Sequence, residues 1–302
     1  MPTLSALIVH WNTAPDLRAC LQALRDHPYT GGTQEVIVVD NASADGAAAM
    51  VRAEFPEVRL LANPANELYA RGVNQAADAA TGDLFLLLNP DAAVRAGTLD
   101  TLAAFLESLP DAAAVAPRLV YESGETQRSV RGFPSPAALL GEFLLLSRLF
   151  PRSRWAAWRM PTFDYDKPGE APQPMASCFL MRRDAWVKIG AMDERFPLYF
   201  NDADWCFRAQ GAGYRIYYTP EAVCAHGYGG TTKRVRRAAV WESRRAMLRF
   251  LGKHYARSTP AVLTALITLD AWRLTGRWGQ SLGAWGGETT PDGLRRELER
   301  AR

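Results

Sequence analysis

The sequence predicts an α/β protein with a mostly parallel sheet and helices on both of its faces. Two observations predict this class. In the first half of the chain, short apolar runs alternate with segments whose apolar residues recur at helical spacing, and polar clusters follow three of the runs. Such alternation is typical of a parallel sheet that is covered on both faces. The 302 residues are 48% hydrophobic and 22% charged, which allows a large core.

The elements of the first half can be placed in order along the chain. Strands are predicted at 3–10, 35–39, 58–61 and 84–88, and helices at 16–24, 44–55 and 69–80. The run LFLLL at 84–88 is apolar throughout, as in a strand buried on both faces.

The second half is less regular. Residues 131–174 are rich in Pro, Trp and Arg and contain the apolar stretch 137–150. Regular patterns return at 177–181 and in a helix at 184–189, followed by an amphipathic helix at 238–255 and the apolar stretch 261–272. Both apolar stretches are too short to cross a bilayer.

Charge and cysteine content limit the partners and the compartment. Residues 1–130 carry 8 basic and 16 acidic residues, whereas residues 131–302 carry 27 and 16. The second half therefore either faces an anionic partner or has an ordinary solvated basic surface. The cysteines lack the spacing of a zinc site or a disulfide framework, and the N-terminus lacks a leader pattern, which favours a cytosolic protein with reduced thiols. They are Cys20, Cys178, Cys206 and Cys224.

Polar clusters follow three predicted strands. They are His10-Trp11-Asn12-Thr13, Asp40-Asn41-Ala42-Ser43 and Asn89-Pro90-Asp91. One such cluster alone is usually a turn or a helix cap. Ligands of open α/β sheets bind at the carboxyl ends of strands where the strand order reverses, so the three clusters together predict one ligand site.

Longer motifs extend this pattern over most of the chain. They are VIVVDNAS (36–43), NELYARGVNQA (66–76), GDLFLLLNPDA (82–92) and the segment 182–232, which contains FPLYFNDADWCFRAQG and AHGYGGTT. In order and spacing the chain resembles family 2 glycosyltransferases with a GT-A fold, in particular the rhamnosyltransferase-like branch of bacterial surface polysaccharide synthesis. The resemblance implies a GT-A domain at 1–255, with a nucleotide-binding half (1–130) and an acceptor half (131–255). A helical extension follows at 256–302.

The resemblance implies a nucleotide site at the first strands. The Asp40 carboxylate can accept the imide N–H of uracil or thymine, and the loop that opens the helix at residue 69 can turn its amides toward a diphosphate. Leu68 and Arg71 stand where the family usually has glycine, so that Arg71 either contacts phosphate or covers the loop. The other nucleotide candidates are Asn12, Asn41, Asn66 and Asn74, and the other phosphate candidates are Arg208 and Lys233.

A divalent cation, Mn²⁺ or Mg²⁺, is expected as cofactor. Asn89-Pro90-Asp91 stands where many relatives carry an Asp-x-Asp motif, whose carboxylates hold a cation that bridges the two phosphates. Asp91 is expected to bind it directly, and the neutral Asn89 weakly or through water. A single histidine is more often structural, but the position of His226 within AHGYGGT favours a metal ligand.

The motif Asn201-Asp202-Ala203-Asp204 stands where the family has Glu-Asp-x-Asp. The resemblance implies that Asp202 is the general base, and Asn201 in place of Glu predicts a lower base pKa than in relatives. Asp204 either supports the base or caps a helix. Tyr199 and Trp205 either stack on a sugar or belong to the core.

The implied reaction is a single displacement that inverts the anomeric carbon. The donor is a nucleotide diphosphate-sugar, with dTDP-rhamnose favoured and a UDP-sugar next, and the acceptor is a hydroxyl of a glycan or lipid-linked molecule; no nucleic acid partner is expected. A nucleotidyltransferase and a dinucleotide dehydrogenase are disfavoured, because the first strand is followed by neither a basic Gly-rich loop nor G-x-G-x-x-G. Asn89 and Asn201 keep an inactive partner protein as an alternative.

The protein is expected to work in the cytoplasm, peripherally on the inner face of the plasma membrane. Four arginines, with no acid at 144–162, flank aromatic and aliphatic residues, and the segment 229–257 carries nine basic residues against Glu242 alone. Such segments suit an anionic lipid surface. Alternatively, 137–150 and 261–272 pack on the catalytic domain or on a second subunit, so the oligomeric state stays open. The arginines are Arg148, Arg152, Arg154 and Arg159.

Overall fold

A central sheet of nine strands organises the chain in a computed structural model that describes residues 2–227 and 236–275. Two further short strands pair separately. The strands are β1 Thr3–His10, β2 Thr33–Asp40, β3 Arg59–Ala62, β4 Leu84–Leu88, β5 Ala92–Val94, β6 Ala112–Val120, β7 Val130–Arg131, β8 Gly169–Glu170, β9 Gln173–Pro174, β10 Cys178–Arg182 and β11 Arg215–His226.

The first four strands form the parallel part of the sheet, in the order β3-β2-β1-β4. The chain moves outward from β1 to β3 and then returns to the other side of β1, so the strand order reverses between β1 and β4. Residues of β1 alternate between two cores: Leu4, Ala6 and Ile8 face one, and Leu7 and Val9 the other. This alternation explains the continuous apolar run and confirms the predicted sheet with both faces covered.

The second half of the sheet is mixed. β10 runs antiparallel to both β4 and β6, β11 is parallel to β6, and β5 and β8 pair antiparallel with β11. β6 and β11 were not predicted as strands, although they are the longest, with 9 and 12 residues. Each of them contains a proline, Pro117 in β6 and Pro220 in β11. Because proline is disfavoured in the interior of a strand, neither sequence predicts a strand.

Ten helices of at least four residues lie within the described residues. They are α1 Ala14–Asp26, α2 Ala47–Glu54, α3 Tyr69–Ala79, α4 Thr98–Glu107, α5 Pro136–Phe143, α6 Leu146–Leu149, α7 Arg183–Ile189, α8 Asn201–Gly211, α9 Arg236–His254 and α10 Ala261–Thr275. One predicted boundary needs correction, because the helix expected from residue 44 begins at Ala47, after the left-handed Gly46 (φ 83°). The apolar stretch 137–150 contains most of α5 and all of α6, which are separated at Leu145 (φ 60°). The four cysteines are buried free thiols.

The last two helices, α9 and α10, pack on each other and on α5. Leu263 and Ile267 of α10 share a core cluster with Leu139 of α5 and with Met247 and Leu251 of α9. Within the described residues no helix is both long enough and apolar enough to span a membrane. The division at residue 255 stays a prediction, and residues 276–302 of the predicted extension lie outside the described part.

A buried ionic cluster fastens α9 to α8. The carboxylate of Asp204, which is fully buried, accepts hydrogen bonds from Lys253 Nζ (2.5 Å), His254 Nε2 (2.8 Å) and Arg208 Nε (2.9 Å). Beside it, Ala203 and Phe250 pack in one apolar cluster. A buried carboxylate that is shared by several cations fixes the relative position of the two helices.

We predict that Asp204→Ala destabilises the protein by about 3–5 kcal/mol, because removing one partner leaves the other buried charges uncompensated. Equilibrium urea denaturation measures this loss. Glu54→Ala is the control, since it removes an ion pair with Arg18 that lies on the surface, where solvent screens the charges, and it should shift the midpoint little. Similar midpoints for the two variants would contradict a stabilising role for the cluster.

Candidate active site

A cavity of about 580 Å³ opens at the carboxyl ends of β1 and β4, where the strand order reverses. All three polar clusters that follow strands contribute to its lining, which confirms that they converge. Segments from the second half close the other side. The residues from the polar clusters are His10, Trp11, Thr13, Asn41, Asn89, Pro90 and Asp91, and those from the second half include Ser177, Gln173, Tyr199, Asp202 and His226.

Asp40 lies beside this cavity and holds a buried acceptor atom. The parallel register pairs it with His10, which lines the cavity, and Asp40 itself is buried. Its Oδ2 accepts the Ser43 N–H at 3.3 Å, whereas its Oδ1 has no hydrogen-bond partner among the described residues and lies 4.0 Å from His10 Nε2. Burial lowers the pKa of His10 against the attraction of Asp45 and Asp40, which favours a neutral ring. A buried carboxylate oxygen in this state can accept a hydrogen bond from a ligand.

The four predicted asparagines differ in position. Asn41 and Asn66 line the cavity, and both hold Leu68: Asn41 Nδ2 donates to its carbonyl (3.1 Å), and Asn66 Oδ1 accepts its N–H (2.9 Å). Asn12 ties the first two polar clusters together, since its backbone N–H donates to Ser43 Oγ (3.0 Å). Asn74 is outside the cavity lining, because its amide exchanges hydrogen bonds with the backbone of residue 192.

The loop before α3 does not offer its first amides to a ligand, contrary to the prediction. The N–H groups of Tyr69 and Ala70 both donate to the carbonyl of Pro197, at 3.0 and 3.1 Å. Arg71 points to solvent, lies outside the cavity lining and forms an ion pair with Glu67 (3.4 Å). The arrangement therefore favours Arg71 covering the loop over Arg71 contacting phosphate.

Leu68 adopts a positive φ of 67°, in the region where glycine is favoured. This is consistent with the glycine that the family resemblance leads us to expect at this position. Among the described residues other than glycine, five more have positive φ values: Asn12, Ala42, Leu145, Met160 and Phe200. Of these, Phe200 lines the cavity, and Asn12 and Ala42 are adjacent in sequence to residues that line it.

Asp91 and His226 face each other across the cavity wall. His226 Nε2 lies 3.4 Å from Asp91 Oδ1, and the ring is buried. Gln127, which the sequence did not suggest, sets the orientation of this ring: its Nε2 donates to the carbonyl of His226 (2.6 Å), so its Oε1 is the atom that faces Nδ1 (3.1 Å). Nδ1 must then carry the proton, and the Nε2 of a neutral ring directs its lone pair toward Asp91.

Asn89 lines the cavity next to this pair, and its side chain bridges two neighbours. Its Nδ2 donates to Ser177 Oγ (3.1 Å) and its Oδ1 accepts from the hydroxyl of Tyr69 (3.4 Å). Burial raises the pKa of Tyr69, and the negative charges of Asp202 and Asp91 add to this effect. The Tyr69 hydroxyl is therefore near enough to the two carboxylates that the sequence assigned to base and metal for both charges to affect it.

Asp202 is half-buried on the cavity wall at the first turn of α8. Its Oδ1 accepts the N–H of Ala203 (2.8 Å) and its Oδ2 accepts from Gln173 Nε2 (3.4 Å). Burial raises the pKa of Asp202, although hydrogen bonds from the N–H groups of Ala203 and Ala176 and from Gln173 oppose this. A carboxylate with a raised pKa in a cavity is suited to accept a proton.

Three other predicted site residues are structural. Trp205 is fully buried against Phe179 and Trp186, and its Nε1 donates to the carbonyl of Gly190. Arg208 lies outside the cavity lining because its guanidinium bonds to Asp204 and to the carbonyls of residues 189–191. Asp204 neither supports the base nor caps the helix, since it holds α9 instead. Lys233 lies outside the described residues.

The fold is that of the GT-A glycosyltransferases of known structure. A mannosyltransferase from Pyrobaculum calidifontis, solved in complex with GDP-Man and Mn²⁺, matches with a TM-score of 0.56 and 19% identity, over 100% of this chain and 86% of that one. The transferase GalNAc-T7, solved with UDP, GalNAc and Mn²⁺, matches with a TM-score of 0.62 and 12% identity, over 100% of this chain and 54% of that one. At these identities the likeness shows the fold.

Sequence comparison identifies the family. Residues 5–190 match the family model described as Glycosyl transferase family 2, and the chain belongs to that family. An N-acetylglucosaminyl-diphospho-decaprenol L-rhamnosyltransferase of Mycobacterium tuberculosis is 32% identical over 213 residues, which are 66% of this chain and 68% of that protein. The resemblance inferred from the motifs is thereby confirmed.

We predict that Asp202→Asn gains stability relative to the unchanged protein as pH rises from about 3 to about 7. Because the pKa of Asp202 is raised from 3.8 by folding, its ionisation disfavours the folded state, and the neutral amide avoids this cost. Urea denaturation midpoints of both proteins across this range measure the difference. A relative loss of stability would mean that the surrounding N–H groups outweigh burial and lower the pKa.

Proposed function

We propose that the protein is a metal-dependent inverting glycosyltransferase that moves rhamnose from dTDP-rhamnose, or a hexose from a UDP-sugar, to a hydroxyl. The observation that carries this proposal is the presence in one cavity of a carboxylate with raised pKa, Asp202, and of the Asp91–His226 pair. An acceptor proton and a diphosphate leaving group could be handled there in a single displacement. The 32% identical mycobacterial protein, named as a rhamnosyltransferase, supports the choice of sugar.

Asp202 is proposed as the general base. Its carboxylate would take the proton of the acceptor hydroxyl while that oxygen attacks the anomeric carbon and the bond to the diphosphate breaks. The transition state resembles an oxocarbenium ion, and one catalytic carboxylate is enough, since no covalent intermediate forms. The anomeric carbon of the transferred sugar would therefore have inverted configuration in the product. Gln173 and the N–H of Ala203 fix the carboxylate in place.

Asp91 and His226 are the residues that would hold a divalent cation. Within the described residues no three His, Cys, Asp or Glu side chains are grouped as a metal site, so the phosphates of the donor would complete the coordination. The donor set fits this use: a carboxylate oxygen and an imidazole Nε2 lie 3.4 Å apart, and the contact of Gln127 with Nδ1 orients the ring so that Nε2 faces Asp91. An imidazole ligand favours Mn²⁺ over Mg²⁺. When bound, the cation would neutralise charge that develops on the leaving diphosphate.

Asp40 is proposed to select the nucleotide base. Its buried Oδ1, for which the described residues supply no partner, could accept the imide N–H of uracil or thymine. Asn41 and Asn66 would shape the adjoining wall through their hold on Leu68. Asn74, Arg71 and Arg208 are not included in this proposal, because their side chains bind to the protein itself.

The acceptor is proposed to be a glycan or lipid-linked molecule of cell-surface polysaccharide synthesis, in the cytoplasm and at the inner face of the plasma membrane. The mycobacterial relative, whose name includes a diphospho-decaprenol carrier, supports a lipid-linked acceptor. The alternative of an inactive partner protein rests on Asn89 and Asn201. It is tested by whether the pure protein consumes a nucleotide sugar.

We predict that Asp202→Asn lowers turnover by about a hundredfold to ten-thousandfold while the donor binds normally, since only the proton acceptor is lost. Rates at saturating acceptor and donor titrations measure the two effects. Asp184→Asn, at the first turn of α7 and outside the cavity lining, is the control and should keep normal turnover. Near-normal turnover of Asp202→Asn would place the base elsewhere.

We predict that His226→Ala abolishes the Mn²⁺ dependence of nucleoside diphosphate binding, and that Gln127→Ala weakens it by roughly ten- to a hundredfold, as is typical when the residue orienting a metal ligand is lost. Titration calorimetry of dTDP with and without Mn²⁺ measures both. Gln22→Ala is the matched control, because this exposed side chain bonds only to Asp26 among the described contacts. Unchanged metal dependence in both site variants would exclude His226 as a ligand.

A further inference from the structure

The turn between α5 and α6 exposes a cluster of large apolar side chains, which we name the α5–α6 corner (residues 144–154). Leu144, Leu145, Leu149 and Phe150 are 58, 53, 71 and 55% exposed. Four neighbouring large apolar residues that are each more than half exposed form an unusual surface, because isolated exposed leucines are common but contiguous apolar patches usually mark an interaction site.

The local structure forces these side chains outward. α5 ends at Phe143, and the left-handed Leu145 redirects the chain into α6. The buried residue of α6 is Ser147, which is 7% exposed and whose hydroxyl donates to Glu142 Oε2 at 3.0 Å. Leu149 of the same short helix is 71% exposed. The usual burial order is thus reversed, with the hydroxyl inside and the leucine outside.

The charges of the corner are basic only. Arg148, Arg152 and Arg154 are exposed beside the apolar cluster, and residues 144–162 contain no acid. The nearest preceding acid, Glu142, is half-buried and is already paired with Arg159. Exposed apolar side chains surrounded by arginine suit the boundary between headgroups and acyl chains of an anionic bilayer.

The other basic segment that the sequence suggested is used differently. In α9, Arg244 pairs with Asp270, Arg249 with Glu242, and Lys253 with Asp193 and Asp204. Arg244 and Lys253 thereby link α9 to α10 and α8, and Arg249 is paired within α9, so these three cations are engaged in ion pairs within the protein. α10 exposes Val262, Leu269, Trp272 and Leu274, but residues 261–275 contain a single basic residue, Arg273, and also the acidic Asp270. The α5–α6 corner, with three exposed arginines and no acid, therefore combines more positive charge with its exposed apolar side chains than α10 does.

The corner is connected to the active-site cavity through one layer of packing. Leu140 and Phe143 of α5 belong to the same apolar cluster as Trp158 and Phe200. Trp158 and Phe200 line the cavity. A membrane that contacts the corner would thus lie on the side of the molecule where α5 supports the cavity wall.

We propose that the α5–α6 corner is the membrane-docking surface of the protein: Leu144, Leu145, Leu149 and Phe150 insert into an anionic lipid surface, and Arg148, Arg152 and Arg154 bind its headgroups. The assignment of this surface to membrane docking is argued from the exposure of its apolar side chains and from its positive charge. Its purpose, to bring the cavity to a lipid-linked acceptor, rests on the proposed function.

Co-sedimentation with vesicles of phosphatidylcholine, with and without phosphatidylglycerol, tests this proposal. The unchanged protein should bind the anionic vesicles and be released by salt. The variant Leu149→Ser/Phe150→Ser should bind at least about tenfold more weakly, since it loses two apolar side chains from the interface. Arg148→Gln/Arg152→Gln should bind more weakly, by about fivefold per charge, and with less salt dependence.

Val187→Ser is the matched control, because Val187 is 71% exposed but stands alone on α7. It should bind vesicles like the unchanged protein, and circular dichroism should show all variants folded. Equal vesicle binding by Leu149→Ser/Phe150→Ser, or no binding by the unchanged protein at low salt, would overturn the proposal. So would a dimer in sedimentation velocity that this variant converts to monomers without any vesicle binding by the unchanged protein.

Consumption of the donor by water, measured without lipid, separates this proposal from the proposed function. The corner variants should keep it, because none of the substituted residues lines the cavity. Vesicle binding without any donor consumption by the unchanged protein would reject the enzyme and leave the docking surface standing.

Discussion

The parallel pairing of β1 with both β2 and β4 is the constraint on which the site depends. Its register places His10 opposite Asp40, and Leu7 opposite Leu87 just before Asn89. Three loops that are far apart in sequence must therefore leave the sheet at the same edge. Both faces of β1 are covered by cores, so a shift of one residue would turn apolar side chains from one core to the other and is strongly disfavoured. This register therefore determines where the cavity lies.

The first turns of α8 connect this edge to the second half of the chain. Asp202 and Asp204 are two residues apart and so point about 200° apart around the helix. Asp202 reaches the cavity wall, whereas Asp204 is fully buried between α8 and α9. The cations that hold Asp204 also hold the helix that presents Asp202, so stability and the proposed chemistry depend on one short motif. α5, which leads to the α5–α6 corner, packs against Phe200 at the start of α8.

The sequence was most informative where local pattern and burial agree. The strand at 84–88 and the three polar clusters are where the apolar runs and the reversal rule placed them. It was misleading where a residue type that suits a site also suits the protein interior. Trp205, Asp204 and Arg208 match the expected site motif but are structural. Trp205 and Arg208 bind residues 189–191, and Asp204 binds residues 253–254. Gln127 could not be found, since only its distance to His226 in space reveals it. The two longest strands, β6 and β11, could not be predicted either, because each contains a proline in its interior.

The stereochemistry of the product tests the central claim most directly, namely that Asp202 acts as the one catalytic carboxylate of a single displacement. The protein would be incubated with dTDP-rhamnose, Mn²⁺ and a soluble hydroxyl acceptor, and the anomeric configuration of the product would be determined by NMR. A geometry with one base and no nucleophile predicts a product whose configuration is opposite to that of the donor. A product with retained configuration would contradict the account, because it requires a second displacement that Asp202 alone cannot provide.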